Sequence, residues 1–316
     1  MLPEFKDIEN AHDLIRSQIH RTAIFTSKLI DEMVGSNLFF KCENFQKTGS
    51  FKIRGATNSI LNLSEEDRAN GVVAHSSGNH AQALAYAARE NDIKAYIIMP
   101  SNAPEVKINA VRDYGAEIIF CEPNIDARER ETNKVIKEKG AKLIHPYDYF
   151  NTICGQGTAA KELIEDCTSS HNELDYIFAP IGGGGLMSGT LITTKTLLPN
   201  CKVIGVEPEE VDDALRSWNE GKIVKNETTN TICDGLLTNL GELNFKIISK
   251  YIDDILTVND DEVREAQLLI MQRMKIIIEP SSAVVFASIL KNKDRFENKK
   301  IGLILSGGNY DIKLSK

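Results

Sequence analysis

The chain has 316 residues, 42% apolar and 26% charged, a composition that suits a soluble globular protein of about two domains. A formal net charge of −8 argues against a nucleic-acid partner, which would need a basic patch, and no run of 18 apolar residues offers a membrane span. Six cysteines without a C-x-x-C pair and six histidines without H-E-x-x-H argue against a disulfide frame or zinc site, so reduced thiols and a cytoplasmic location are expected.

Met1-Leu2-Pro3-Glu4-Phe5-Lys6-Asp7 has no basic-then-apolar start, and no targeting segment is expected. The first strand-like run is Leu38, Phe39 and Phe40, with Cys42 beyond. Lys47-Thr48-Gly49-Ser50-Phe51-Lys52-Ile53-Arg54-Gly55-Ala56 follows and opens a helical pattern that continues through Ile60 and Leu61. Ser50 sits where a helix N-cap belongs, which puts Lys52 in the first turn. The positive end of a helix disfavours an ammonium there. The same field lowers the amine's pKa, which a lysine needs to act as a nucleophile and form a Schiff base. A solvated lysine at a helix start is the plain alternative.

From residue 71 strands and helices alternate. Val72-Val73-Ala74, Tyr96 to Met99, Ile118 to Phe120 and Lys142 to Ile144 read as strands. Helical stretches run from Ala81 to Glu90, Pro104 to Tyr114 and Asp126 to Lys139. Further on come a helix near Thr158 to Cys167, a strand Tyr176 to Ile181, a helix from Leu186 and a strand Lys202 to Val206. Helices over Glu262 to Met274 and Ser282 to Leu290 and a last strand Ile301 to Leu305 close the pattern. This is an α/β chain with mainly parallel sheets flanked by helices. A small domain is expected over 71–148, and a larger one from 1–70 with 149–316. Gly221 to Asn230 reads as an exposed loop.

Gly182-Gly183-Gly184-Gly185 lies between a strand and a helix, where successive amides converge on one anion, as a phosphate cradle does. Gly183, Gly185 and Gly189, with Glu207 closing the next strand, also keep a nicotinamide-binding reading open, although the strict dinucleotide fingerprint fails. Ser306-Gly307-Gly308-Asn309 is a second cradle-like stretch at a strand end, and Ser76-Ser77-Gly78-Asn79-His80 follows another. Ligands of open α/β sheets bind at such ends.

The lysine, the tetraglycine and the terminal serine-glycine-glycine-asparagine, together with Gly155-Gln156-Gly157-Thr158 and Glu279-Pro280, resemble a known set. From about Ile8 to Asp311 the chain is similar to the pyridoxal-phosphate enzymes of the serine racemase and serine/threonine dehydratase family, of tryptophan-synthase-β-like fold (fold type II). The resemblance implies that Lys52 carries the cofactor and works on the Cα proton, that Phe51 backs the ring and that Asn79 meets its hydroxyl. It implies a phosphate held by Gly182, Gly183, Gly184, Gly185 and the Leu186 amide, and a pyridine nitrogen met by Ser306. Ser76, Ser77, Asn79 and His80 would take the substrate, with Ser77 as the second proton donor that racemisation needs. A helix-capping serine is the alternative at Ser77. Within Glu207 to Asp213, five carboxylates in seven residues, Glu207, Asp213 and the Val211 carbonyl resemble ligands of Mg²⁺, Ca²⁺ or Mn²⁺.

The implied activity is interconversion of L- and D-serine with water elimination to pyruvate and ammonia, by a homodimer acting on a small amino acid. Tyr147-Asp148 departs from the asparagine seen after the proline in animal racemases. A dehydratase of L-threonine or threo-3-hydroxyaspartate is therefore the alternative. Gln82, Lys107, Ala110, Tyr114 and Lys275 match parts of an ATP-activation pattern. The sequence carries no regulatory extension beyond 316, so isoleucine feedback is not expected.

Overall fold

The computed structural model describes residues 2–311. In chain order the elements are α1 (Phe5–Ile15), β1 (Ile24–Phe25), α2 (Lys28–Val34), β2 (Asn37–Cys42), α3 (Lys52–Leu61) and α4 (Glu65–Asn70). There follow β3 (Val72–His75), α5 (Asn79–Arg89), β4 (Ala95–Pro100), α6 (Glu105–Asp113), β5 (Glu117–Cys121), α7 (Ile125–Lys139) and β6 (Lys142–Leu143). The remainder is α8 (Phe150–Ser169), β7 (Tyr176–Pro180), α9 (Gly185–Leu197), β8 (Lys202–Pro208), α10 (Asp213–Glu220) and α11 (Glu242–Tyr251). β9 (Asp254–Val258), α12 (Asp260–Met274), α13 (Pro280–Lys291) and β10 (Lys300–Leu305) complete it.

Two sheets result. The larger runs β1-β2-β10-β7-β8-β9, parallel except for β1, and the smaller runs β5-β4-β3-β6, parallel throughout. The central strands read as unbroken apolar runs because helices cover both faces: Ile97, Ile98 and Met99 of β4 and Leu303, Ile304 and Leu305 of β10 are all fully buried. Helix ends follow local chemistry. Asn124 caps α7 through the Ala127 amide, and Gly140 closes it in the left-handed region at φ 68°. Asn259 and Glu262 form a capping box on α12.

The core departs from the sequence reading in one instructive way. Ile53, Ala56 and Ile60 of α3 are buried in one cluster with Val72, Ala74 and Ile97 of the smaller sheet. The helix that begins at Lys52 thus packs against the smaller sheet, although its sequence lies outside 71–148. α8 also begins earlier than the expected Thr158. Gly155 and Gly157 lie inside it, where α3 and α9 cross: a Cβ on Gly155 would fall 2.6 Å from Gly55 Cα, and one on Gly189 would fall 2.5 Å from the Gly157 nitrogen. The loop 221–230 is mostly exposed, as expected. Among the described residues no helix is long and apolar enough to cross a membrane.

Candidate active site

A cavity of about 560 Å³ lies where the strand C-terminal ends of both sheets open. Phe51, Lys52, Ser76, Ser77, Asn79 and His80 line it. So do Gly182, Gly183, Gly184, Gly185, Leu186 and Ser306, so residues as far apart in the chain as Phe51 and Ser306 share one space. Glu207, Val211 and Asp213 do not line it.

Lys52 is the first residue of α3, and its Nζ donates to the Pro146 carbonyl at 2.9 Å and lies 5.2 Å from the Phe51 ring centroid. Burial pushes the amine down to about 8, against the opposing pull of the Glu279 carboxylate. Burial is therefore the leading cause, where the sequence reading invoked the helix field. Ser50 does not cap the helix. It is extended, bridges to Gly307, and its buried hydroxyl has no partner among the described residues; Phe51 holds the cap position.

The tetraglycine turn carries β7 into α9. Gly184 stands at φ 93°, and a Cβ on Gly183 would strike the Tyr147 ring at 2.2 Å. The amides of Gly182, Gly183 and Gly184 donate to no acceptor among the described residues. Unspent donors at a helix N-terminus, in a cradle that side chains would fill, fit a phosphate. Asn244 braces the turn from below, donating to the Gly183 carbonyl at 2.8 Å and the Tyr147 carbonyl at 3.1 Å.

The second cradle is a correction. In Ser306-Gly307-Gly308-Asn309 the Gly307 amide donates to Ser282 Oγ and the Gly308 amide to the Gly49 carbonyl. Asn309 Nδ2 donates to Thr48 O and Asn79 Oδ1, each at 2.8 Å. Gly308 and Asn309 thus clasp the 47–50 turn, Gly307 is spent on Ser282, and these three donors are not left for an anion. Ser306 alone of the four lines the cavity, its Oγ donating to Ser282 Oγ at 3.4 Å.

The His80 side chain is engaged elsewhere. Its Nε2 donates to the Ile144 carbonyl at 3.0 Å, and burial pushes the ring down to about 3. The ring is neutral with Nδ1 as acceptor only, so it cannot bind a carboxylate by donation. What remains for an anion is the backbone amide at the start of α5. The cap alternative for Ser77 fails as well: Gly78 holds the N-cap position, and the Gly78 amide donates to Ser76 Oγ.

Sequence reasoning gave no role to Glu279, quoted only within a motif, or to Arg128, His75 and His145, all of which line the cavity. Glu279 accepts from Asn79 Nδ2 at 2.9 and 3.1 Å, and burial lifts its carboxyl to about 7. His145 accepts the Asp148 amide at Nδ1, and burial pushes it down to about 4. His75 directly follows the predicted strand Val72-Val73-Ala74 and ends β3, which could have marked it. Arg128 sits in the charged stretch Arg128-Glu129-Arg130-Glu131 of α7 and carried no signal.

The acidic run separates into two kinds of residue. Glu209 and Glu210 are exposed, with Glu209 paired to Lys291, whereas Glu207 and Asp213 are fully buried. Glu207 accepts the Ala214 and Leu215 amides, and Asp213 accepts Leu240 N and Asn226 Nδ2. Glu207 therefore caps α10 and does not line the cavity, which removes the basis of the nicotinamide reading. Burial, and then Asp213, push the Glu207 carboxyl well above its ordinary range. Among the described residues neither carboxylate has a Lys or Arg ion pair, and no group of three or more His, Cys, Asp or Glu residues is placed to hold a metal.

Comparison with known proteins gives the family of the chain. The family model described as pyridoxal-phosphate dependent enzyme matches residues 15–307. The chain is 50% identical over 311 residues to a serine racemase of Dictyostelium discoideum, covering 97% of this chain and 95% of that one. A β-hydroxyaspartate dehydratase of Paracoccus denitrificans is 45% identical over 311 residues, covering 98% of each. The crystal structure of the Dictyostelium serine racemase superposes with a TM-score of 0.92, covering 98% of this chain and 99% of the other.

Proposed function

The chain belongs to the family of pyridoxal-phosphate dependent enzymes, and from that premise we propose that it racemises serine and eliminates water from L-serine. Pyridoxal phosphate, when bound, supplies the electron sink that makes the Cα proton labile. Lys52 would carry the cofactor, Phe51 back its ring, the Gly182–Leu186 amides hold its phosphate, and Ser306 meet its ring nitrogen. Asn79, oriented by Glu279 and Asn309, would face its ring hydroxyl.

The chain's own groups then do the following. Amides at the start of α5, with Ser76, fix the substrate carboxylate. The Lys52 amine takes the Cα proton from one side, and the Ser77 hydroxyl delivers one from the other. The observation that carries this reading is Ser77 itself: a serine that lines the cavity and is not used as a helix cap, in the same space as a lysine whose amine is pushed down to about 8. A substrate panel with chiral product analysis tests it.

One observation favours a second reading. Arg128 lines the cavity with a buried Nε that has no partner among the described residues. A second substrate carboxylate would satisfy it, as threo-3-hydroxyaspartate would. Arg128→Met is expected to lower kcat/KM for that substrate by roughly 10- to 100-fold, the worth of one charged hydrogen bond. L-serine elimination should change by less than a few-fold. Equal losses on both substrates would remove the dicarboxylate reading.

Glu207 and Asp213, buried together without a cation, suit a divalent metal, with the Val211 carbonyl and waters completing a shell of about six. Chelation is expected to lower the melting temperature, and Mg²⁺, Ca²⁺ or Mn²⁺ to restore it. The double variant E207Q/D213N should ignore both treatments. A wild type indifferent to chelator in metal-free buffer would return the pair to a purely structural role.

We also propose a homodimer, for which Phe25, Leu29, Met33 and Phe45 supply an exposed apolar surface, and division into domains 1–70 with 149–316 and 71–148. Six free thiols suit the cytoplasm. ATP activation rests on resemblance at Gln82, Lys107, Ala110, Tyr114 and Lys275. Lys107 is paired with Asp234 at the cavity, so nucleotide would have to compete with that ion pair.

A further inference from the structure

Two residues past Lys52 on α3 stands Arg54, the largest of the fully buried side chains among the described residues. Its Nε and Nη2 donate to the two oxygens of Glu43 at 2.7 and 2.8 Å. Nη1 and Nη2 donate to the two oxygens of Glu162 at 2.9 and 2.7 Å, and Nη1 also reaches Thr158 Oγ1 at 3.0 Å. Glu43 follows β2, and Glu162 lies on α8. Lys41 joins them, donating to Glu162 at 2.7 Å and to the Thr22 carbonyl at 2.8 Å. Two cations and two carboxylates thus form a neutral buried quartet.

Stability alone does not call for this arrangement, because apolar side chains of similar volume often serve a core as well or better. A doubly forked guanidinium supplies direction instead. At 3.6 residues per turn, Lys52 and Arg54 leave α3 on faces roughly 200° apart. Gly55, the next residue, sets the separation of α3 from α8, since a Cβ there would lie 2.8 Å from the Thr152 carbonyl. Backbone contact fixes how close the helix lies, and the Arg54 forks fix how it is turned.

We infer that Arg54 is a positioning residue for the reactive lysine, its forks to Glu43 and Glu162 fixing the rotation of α3 so that the Lys52 amine is held in the cavity at the Pro146 carbonyl. The inference rests on Lys52 as the cofactor-bearing amine, and its test has one readout that needs no cofactor.

The variants are R54K, which keeps the charge but loses both forks, and E162Q, which keeps the Glu43 fork and serves if R54K does not fold. V135A, in a separate apolar cluster of the smaller sheet, is the control for destabilisation alone. The first readout is the dissociation constant of pyridoxal phosphate from the apo-protein. The second is the pH midpoint of Lys52 labelling by trinitrobenzenesulfonate, followed by mass spectrometry. R54K and E162Q are expected to weaken cofactor binding by about 10- to 100-fold, the scale of an ångström-sized displacement, and to move the labelling midpoint upward as Lys52 gains water. V135A should lower the melting temperature and move neither readout. If R54K and E162Q lose melting temperature yet keep the wild-type constant and midpoint, the quartet is only structural and the inference falls. If wild type takes up no pyridoxal phosphate, the functional reading fails, while the labelling midpoint still decides the role of Arg54.

Discussion

Replacing Lys52 by alanine is expected to abolish the visible absorption of the bound cofactor and to cut turnover by roughly 10,000-fold or more, the upper range for losing a positioned acid–base group. The amine is pushed down from the ordinary 10.5 to about 8. At pH 7 that raises the fraction of free amine by roughly 300-fold over an unperturbed lysine. Below about 8 the amine is protonated and cannot attack a carbonyl. Cofactor uptake by the apo-protein should therefore rise with pH through about 8 and level off above it. Spectrophotometric uptake rates across pH 6 to 10 (roughly two units either side of that midpoint) check this. Mutant activity near wild type, or a colourless but fully active wild type, would remove Lys52 from the chemistry.

The parts legible in the sequence were those written in local patterns. Val72-Val73-Ala74 and Ile301 to Leu305 read as strands because parallel strands buried on both faces are continuous apolar runs. Gly182 to Gly185 read as a turn before a helix because few other residues tolerate φ 93° or a Tyr147 ring against the backbone. What stayed hidden depends on contacts between distant segments. The glycines at 155 and 157 look like helix breakers until α3 and α9 are seen crossing α8 there. Asn309 looks like part of an anion cradle until its amide is seen clasping Thr48 and Asn79. Glu207 could be a ribose ligand, a metal ligand or a solvated charge from sequence alone. Its burial beside Asp213, on the amides of α10, removes the solvated reading, and nothing in the local sequence records that burial. Arg128 reads as one more charge on a solvated helix, because nothing local records that it lines the cavity or that its Nε is buried.

Replacing Ser77 by alanine is expected to separate the two reactions proposed for this site. Lys52 alone can remove the Cα proton of L-serine, and departure of the β-hydroxyl then needs no donor on the other face of Cα. Inversion does need one, since reprotonation from the lysine side returns the starting enantiomer. Ser77 lines the cavity, and the helix behind it is capped at Gly78, so Ser77→Ala removes the proposed proton donor without removing a cap. D-serine formation from L-serine should fall by about 100- to 10,000-fold, the range for one general acid, while pyruvate formation from L-serine survives. Elimination from D-serine should fall in parallel, because its Cα proton points toward position 77. The asymmetry is the test. A uniform loss on both enantiomers would mean a damaged site, and unchanged D-serine formation would mean that another group supplies the proton. A wild type that makes no D-enantiomer from any amino acid tested would leave the dehydratase reading, with Arg128 and a second carboxylate deciding its substrate.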